Sequence, residues 1–91
     1  MVTVWVPGPL RGEVGGATRL AVAADGTLRD VLDALAVDWP RLARRLRDER
    51  GELRRYVNVY VDGEDCRHVG GLAAAVRPGA EVRVIPSVAG G

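Results

Sequence analysis

Hydrophobic positions recur along this chain with two different spacings, and the change from one to the other divides it into elements. Residues 2–6 (VTVWV) are rich in β-branched side chains and stop at Pro7-Gly8-Pro9, the mark of a strand that ends abruptly. In residues 18–23 (TRLAVA), Leu20 and Val22 alternate with Arg19 and Ala21, which predicts a second strand and, with the first, a hairpin. The connection between them holds Gly12, Gly15 and Gly16 and is expected to be long and mobile. The spacing then lengthens. Leu28, Val31, Leu32 and Leu35 fall at i, i+3, i+4 and i+7, one apolar stripe on a helix that covers a sheet. Asp25-Gly26 supplies the turn before it, and Thr27 with Asp30 has the spacing of a helix N-terminal cap. Asp38 and Pro40 mark a second helix start, with Leu42 and Leu46 as a shorter stripe in PRLARRLRDER.

The period of two returns in residues 56–61 (YVNVYV), where Val57, Val59 and Val61 share one face and Tyr56, Asn58 and Tyr60 the other. Asp62-Gly63 is a hairpin signal, so Glu64 to Arg67 is predicted to run back as a short strand. A Gly70-Gly71-Leu72 loop and a Pro78-Gly79 turn lead into EVRVIP, a last strand in which Val82 and Val84 alternate with Arg83 and Ile85. The order is strand, strand, helix, short helix, strand, short strand, strand, with no internal repeat and no linker. That is an α+β roll in one domain.

Composition narrows this picture. The chain has 91 residues, 47% of them hydrophobic, yet Phe is absent, so Val, Leu and Ala must supply most of the core. Thirteen basic against 12 acidic residues leave a net charge of +1, too balanced to point to nucleic acid or an anionic membrane. Every basic residue is Arg. With no Lys, the chain cannot build lysine-linked polymers of itself. Cys66 is the single cysteine, so no intramolecular disulfide forms and nothing requires an oxidising compartment. MVTVWVPGPLRG lacks the charged start of a leader, and no apolar run approaches membrane-spanning length; a cytoplasmic location is expected.

Side-chain catalysis finds little support. Cys66 and the lone His68, two apart on a strand, would share a face, but no third partner is identifiable and both read as hairpin-end residues. The pair lacks the further ligands of a zinc site, so no metal is expected. Asp48/Glu49 and Glu64/Asp65 read as solvated surface and turn carboxylates, and no phosphate-binding glycine loop is present. Residues 41–55 hold seven Arg (41, 44, 45, 47, 50, 54, 55) against Asp48, Glu49 and Glu52. Leu42 and Leu46 turn that helix inward, leaving Arg44, Arg45 and Arg47 to face water or an acidic partner; an Arg-rich protein- or RNA-binding module is the alternative reading.

The chain's end differs in kind. SVAGG (Ser87, Val88, Ala89, Gly90, Gly91) follows the last strand directly, and glycine at 12 of 91 positions makes a terminal pair a roughly 2% event by chance. Residues 1–86 are therefore read as the folded domain and 87–91 as a flexible tail. Five residues extend about 17 Å, enough to thread a narrow channel in a partner. Glycine lets channel walls approach the backbone and leaves the last carbonyl unhindered. A carboxylate is inert to nucleophiles until a partner converts it to a mixed anhydride such as an acyl-adenylate; a sulfur or amine nucleophile can then attack.

YVNVYVDGEDCRHVGGLAAAVRPGAEVRVIPSVAGG resembles the C-terminal half of the MoaD/ThiS sulfur carriers, ubiquitin-like proteins, and the likeness spans nearly the whole chain. Within that family, VNVYVDGED, GGL, the Pro-Gly turn and VAGG resemble the CysO type. The resemblance implies a β-grasp fold, a mixed sheet of about five strands on one main helix plus a short one. It implies that a ThiF/MoeB-like activating enzyme uses ATP to adenylate Gly91, and that sulfide or a persulfide displaces AMP to leave a thiocarboxylate. The carrier is then a co-substrate, not an enzyme. For the CysO type it implies a CysM-like, pyridoxal phosphate (PLP) cysteine synthase as acceptor and a zinc peptidase that trims the product. ATP, PLP and zinc belong to those partners, and this chain binds no cofactor. Related carriers serve thiamin, molybdopterin, thiosugars and other sulfur-containing metabolites, and ubiquitin-like relatives are conjugated to lysines.

One further expectation concerns the sheet. If the helix covers the face of Val57, Val59 and Val84, the other face carries Tyr56, Tyr60, Arg83 and Ile85, with Trp5, as an apolar patch beside the tail root that docks the activating enzyme.

Overall fold

The computed structural model describes residues 1–86, and the elements follow in the order β1 (Val2–Trp5), β2 (Arg19–Val22), β3 (Gly26–Thr27), α1 (Leu28–Asp38), α2 (Pro40–Leu46), β4 (Val57–Val61), β5 (Glu64–Asp65), β6 (Ala75–Val76) and β7 (Glu81–Pro86). Five strands form a mixed sheet in the order β2-β1-β7-β4-β5. β7 is its middle strand, parallel to β1 (Val4 opposite Val82) and antiparallel to β4 (Val59 opposite Val84). Alternation decides the faces. Val2, Val4, Leu20, Val22, Val57, Val59, Val82 and Val84 are buried and pack with Leu28, Val31, Leu32 and Leu35 of α1 and Leu42 and Leu46 of α2. This clasp of a sheet around one main helix is the ubiquitin-like β-grasp that the resemblance implied.

The start of α1 is set by a capping box. Thr27 Oγ1 accepts from the Asp30 N–H (3.2 Å), and Asp30 Oδ2 accepts from the Thr27 N–H (3.1 Å) and hydroxyl (3.0 Å). Gly26 precedes it at φ +109°, and a Cβ there would stand 2.8 Å from Asp30 Oδ2, so this turn requires glycine. Gly26 and Thr27 also pair with Val76 and Ala75, a two-stranded ribbon that the sequence pattern did not reveal.

Several local expectations need correction. The connection after β1 is not loose: residues Gly8–Val14 coil into a 3₁₀ helix that buries Leu10 and Val14, and Arg11 Nε donates to the Val6 carbonyl (3.0 Å). Asp38 ends α1 rather than opening α2, whose cap position is Trp39 with Pro40 as its first residue. The turn at Asp62 (φ 49°) and Gly63 (φ 87°) has both residues in the left-handed region, as a two-residue type I′ hairpin demands. The returning strand stops at Asp65 instead of Arg67. Asp65 accepts from the Arg67 N–H (2.9 Å) and starts a 3₁₀ turn, Cys66–His68. The Arg67 guanidinium then donates to Val57 O and Asn58 Oδ1 (both 2.9 Å), occupying the β4 edge where β5 would have continued.

Candidate functional site

The tail Ser87, Val88, Ala89, Gly90 and Gly91 lies outside the described residues, so the structure bears on it through its root. Pro86 is the last residue of β7, opposite Val57 on β4. A chain leaving there continues the middle strand of the sheet, which pairs with β1 as far as Arg83 and with β4 as far as Pro86.

Two concavities flank this exit. One, of about 210 Å³, is lined by Pro9, Leu10, Arg45, Tyr56, Val57 and Pro86. The other, of about 220 Å³, is lined by Trp5, Val6, Pro7, Arg11, Arg83, Val84 and Ile85. Ile85, 48% exposed, and Tyr56, 52% exposed, are apolar surface beside the exit. Both concavities depend on the ordered 3₁₀ segment after β1, which supplies Pro9, Leu10 and Arg11.

On the open face of the sheet, register aligns Trp5, Arg83 and Tyr60 across β1, β7 and β4. Their chemistry is not the plain apolar patch expected. The Arg83 guanidinium lies 4.7 Å from the Trp5 ring centroid and that of Arg19 lies 5.6 Å away. Trp5 Nε1 donates to Glu81 Oε1 (2.8 Å), and Arg83 Nη2 stands 3.7 Å from the same oxygen. The face is thus a cation-flanked indole tied to one carboxylate, with Tyr60 and Ile85 at its margins. Tyr56 does not join it: it lies outside β4 and lines the concavity shared with α2.

The remaining polar candidates separate. Cys66 is buried while His68 is exposed, because a 3₁₀ turn rather than a strand sends them apart. Burial pushes the Cys66 thiol pKa up, and neighbouring Asp65 adds to the rise, so a reactive thiolate is disfavoured. Among the described residues no group of three or more His, Cys, Asp or Glu side chains is placed to hold a metal. In the Arg-rich segment, Arg44 and Arg45 are exposed as expected, but Arg47 is not free: Nη2 meets Asp33 Oδ1 at 2.9 Å with the Arg47 side chain 13% exposed. Arg54 Nε donates to the Arg44 carbonyl (2.9 Å), tying the loop after α2 back to the helix. Arg11, Arg45 and Pro9 were not foreseen beside the exit. The phase of Leu42 and Leu46 does place Arg45 on the rim of a buried stripe, but its closeness to Pro86 is a long-range fact.

Comparison with known proteins adds to this geometry. The pattern of the ThiS family matches residues 4–91. The sulfur carrier protein CysO of Mycobacterium tuberculosis is 41% identical over 92 residues, covering 99% of this chain and 98% of that protein. Small archaeal modifier protein 3 of Haloferax volcanii is 42% identical over 67 residues, 74% of this chain and 72% of its own length. Among solved structures, a chain of the Amycolatopsis orientalis BexX/CysO complex superposes with a TM-score of 0.90 at 36% identity, covering 100% of both chains.

Proposed function

The chain belongs to the ThiS family, and from that premise we propose that it is a sulfur carrier whose working group is the Gly91 carboxylate. The observation that carries this reading is the full-length likeness to a sulfur carrier, 41% identity over 99% of the chain, on a fold whose middle strand runs into the tail. The chemistry follows from the carboxylate's inertness. An activating enzyme of the ThiF/MoeB kind transfers AMP from ATP to the Gly91 carboxylate, releasing pyrophosphate; sulfide then displaces AMP and leaves a thiocarboxylate, whereas a persulfide first gives an acyl disulfide, which a thiol reduces to the thiocarboxylate with formation of a disulfide. No side chain of this protein takes part in bond making, and it acts as a co-substrate rather than an enzyme. Ser87 to Gly91 thread the partner's channel, and the Trp5, Tyr60, Arg83 and Ile85 face contacts its surface.

The acceptor that best fits the CysO likeness is a CysM-like, PLP-dependent cysteine synthase: the thiocarboxylate sulfur adds to an aminoacrylate, an acyl shift follows, and a zinc peptidase releases cysteine. Other sulfur-containing metabolites are alternative acceptors from the same terminus, and the solved BexX/CysO complex supports the assembly of such a carrier with a partner protein. A cytoplasmic location goes with this proposal, and no helix among the described residues is long and apolar enough to cross a membrane.

Incubation with a ThiF-type enzyme, ATP and sulfide tests the reading by intact mass. The chain is expected to gain the mass difference between sulfur and oxygen, and a variant lacking Gly90 and Gly91 to gain nothing. An unchanged mass across activating enzymes that convert related carriers would count decisively against it. A second reading, conjugation to target lysines, draws on the 42% identity to a small archaeal modifier protein. It uses the same acyl-adenylate with an amine in place of sulfide, and it predicts higher-mass adducts in lysates.

A further inference from the structure

The net charge of +1 conceals a separation of charge along the sheet. At the start of β7, Glu81 and Asp62 lie together, with the Glu81 N–H donating to Asp62 Oδ1 (2.9 Å), and Glu64 and Asp65 follow on the adjoining hairpin. Pro86 lies five residues along the strand, about 17 Å away. There the two concavities at the tail exit are lined by three guanidiniums, Arg45 in one and Arg11 and Arg83 in the other, and by no carboxylate among the described residues. Glu81 lies 3.7 Å from Arg83, whereas Arg11 and Arg45 make no ion pair among the described residues. Tyr56 and Ile85 supply apolar surface between them.

We propose that Arg45, Arg11 and Arg83 form a cationic collar around the tail root that recognises an acidic rim at the mouth of the channel receiving the tail. The inference rests on the carrier reading and names the chemistry of the partner surface. Length fixes the location. Five residues beyond Pro86 reach about 17 Å, so an enzyme that takes Gly91 to the end of its channel must bring the channel mouth up to this collar. Charge fixes the chemistry. The exposed guanidiniums of Arg45 and Arg83 stay hydrated until a partner carboxylate meets them, while half-buried Arg11 keeps Nε on the Val6 carbonyl and offers its remaining N–H groups; such rim pairs act chiefly on encounter rate and orientation. The carboxylates at the far end of β7 are repelled by the same rim, so the molecule approaches tail first.

The test uses the full chain and a ThiF-type activating enzyme that accepts it, with ATP turnover followed at low and high ionic strength. Arg45→Glu is the probe variant because the residue is exposed and outside the core; Arg77→Glu, exposed beside the Pro78-Gly79 turn at the other end, makes the same change in net charge. Arg45→Glu is expected to raise the KM for the carrier about tenfold at low salt with kcat unchanged, the gap narrowing as salt rises. Arg77→Glu is expected to stay within about twofold of the parent, since no rim contact is lost there. Equal KM values for Arg45→Glu and the parent, or equal rises for both variants, would overturn the collar while leaving the carrier reading intact. A rise in the KM for ATP instead would assign Arg45 to the nucleotide and also overturn it. Failure of the unaltered chain to be adenylated would remove the carrier reading itself.

Discussion

Replacing Thr27 by Ala removes half of the reciprocal bond that starts α1 and leaves the other half in place. The Asp30 N–H loses its acceptor, Thr27 Oγ1 at 3.2 Å, and Asp30 Oδ2 loses a hydroxyl donor at 3.0 Å; the Thr27 N–H still reaches Asp30 Oδ2 at 3.1 Å. A lost cap of this kind costs about 1 kcal/mol, within a range of roughly 0.5–2. Fraying cannot be absorbed locally. Leu28 follows the cap directly and is fully buried, and Val31, Leu32 and Leu35 continue the same stripe into the core. The cost is therefore expected in global stability, as a fall in Tm of about 4–8 °C per kcal/mol for a domain of this size. Urea unfolding followed by far-UV circular dichroism should show a lower midpoint at an unchanged slope. Asp30→Ala should cost a similar amount, and because both changes break one box, the double variant should cost about 0.5–1 kcal/mol less than the sum. Thr27→Ser keeps the hydroxyl and should recover most of the loss. A Thr27→Ser variant as unstable as Thr27→Ala would mean that the methyl group, not the cap, carries the effect. Strict additivity of Thr27→Ala and Asp30→Ala would refute the reciprocal geometry.

Two further outcomes follow from the surface and from the lone thiol. Tyr60→Asp puts a carboxylate opposite Arg83 on the sheet face, and with the fold intact it should raise the KM for the activating enzyme about tenfold; undiminished activation would exclude that face from docking. Cys66 is buried and its pKa is raised, so in the native protein a thiol reagent at neutral pH should label a Gly91 thiocarboxylate and leave Cys66 unmodified until urea is added. The sign of the linkage is fixed by the raised pKa: the unfolded chain loses the Cys66 proton first, so this contribution is intact below about pH 8.5 and lost as pH rises through the folded-state pKa. Unfolding midpoints at pH 7 and pH 10 compared between the parent and Cys66→Ala measure it, and an equal pH dependence in both would refute it.

Most of the architecture was legible because it is written in local periodicity. Val57, Val59, Val82 and Val84 alternate, Leu28, Val31, Leu32 and Leu35 recur with the helical period, and Asp62-Gly63 has one easily recognised conformation. What escaped is long-range or competitive. The pairing of Gly26 and Thr27 with Val76 and Ala75 joins segments too short to show alternation. The loose glycine-containing connection became a 3₁₀ helix because Leu10 and Val14 find the core, which overrides the local preference of Gly12. The hairpin strand ended at Asp65 because a side chain that accepts a hydrogen bond from the backbone two residues on competes with the ladder. At the site, resemblance pointed to the tail, which lies outside the described residues, and alternation placed Trp5, Tyr60, Arg83 and Ile85 on one face. Neither could say that Trp5 is held between guanidiniums, nor that Tyr56 belongs with Arg45 and Pro86.

The same contrast shows what net charge leaves out. A sum over 13 Arg and 12 acidic residues discards position, and position is what a partner reads. The fold turns the sequence into a vector because β7 is the middle strand: its first residue, Glu81, lies beside the Asp62 hairpin and its last, Pro86, beside Arg45. A strand at the sheet edge could carry the same charges, but the pull of a channel on the tail would peel it from a single neighbour. Here the load passes first into β4, which alone pairs Val84 to Pro86, and reaches β1 only from Arg83 inward, so that the strand is anchored on both sides three residues behind its end. On the proposed reading, in which partners take up the terminus and the chemistry occurs at Gly91, that placement separates the reacting end from the buried core.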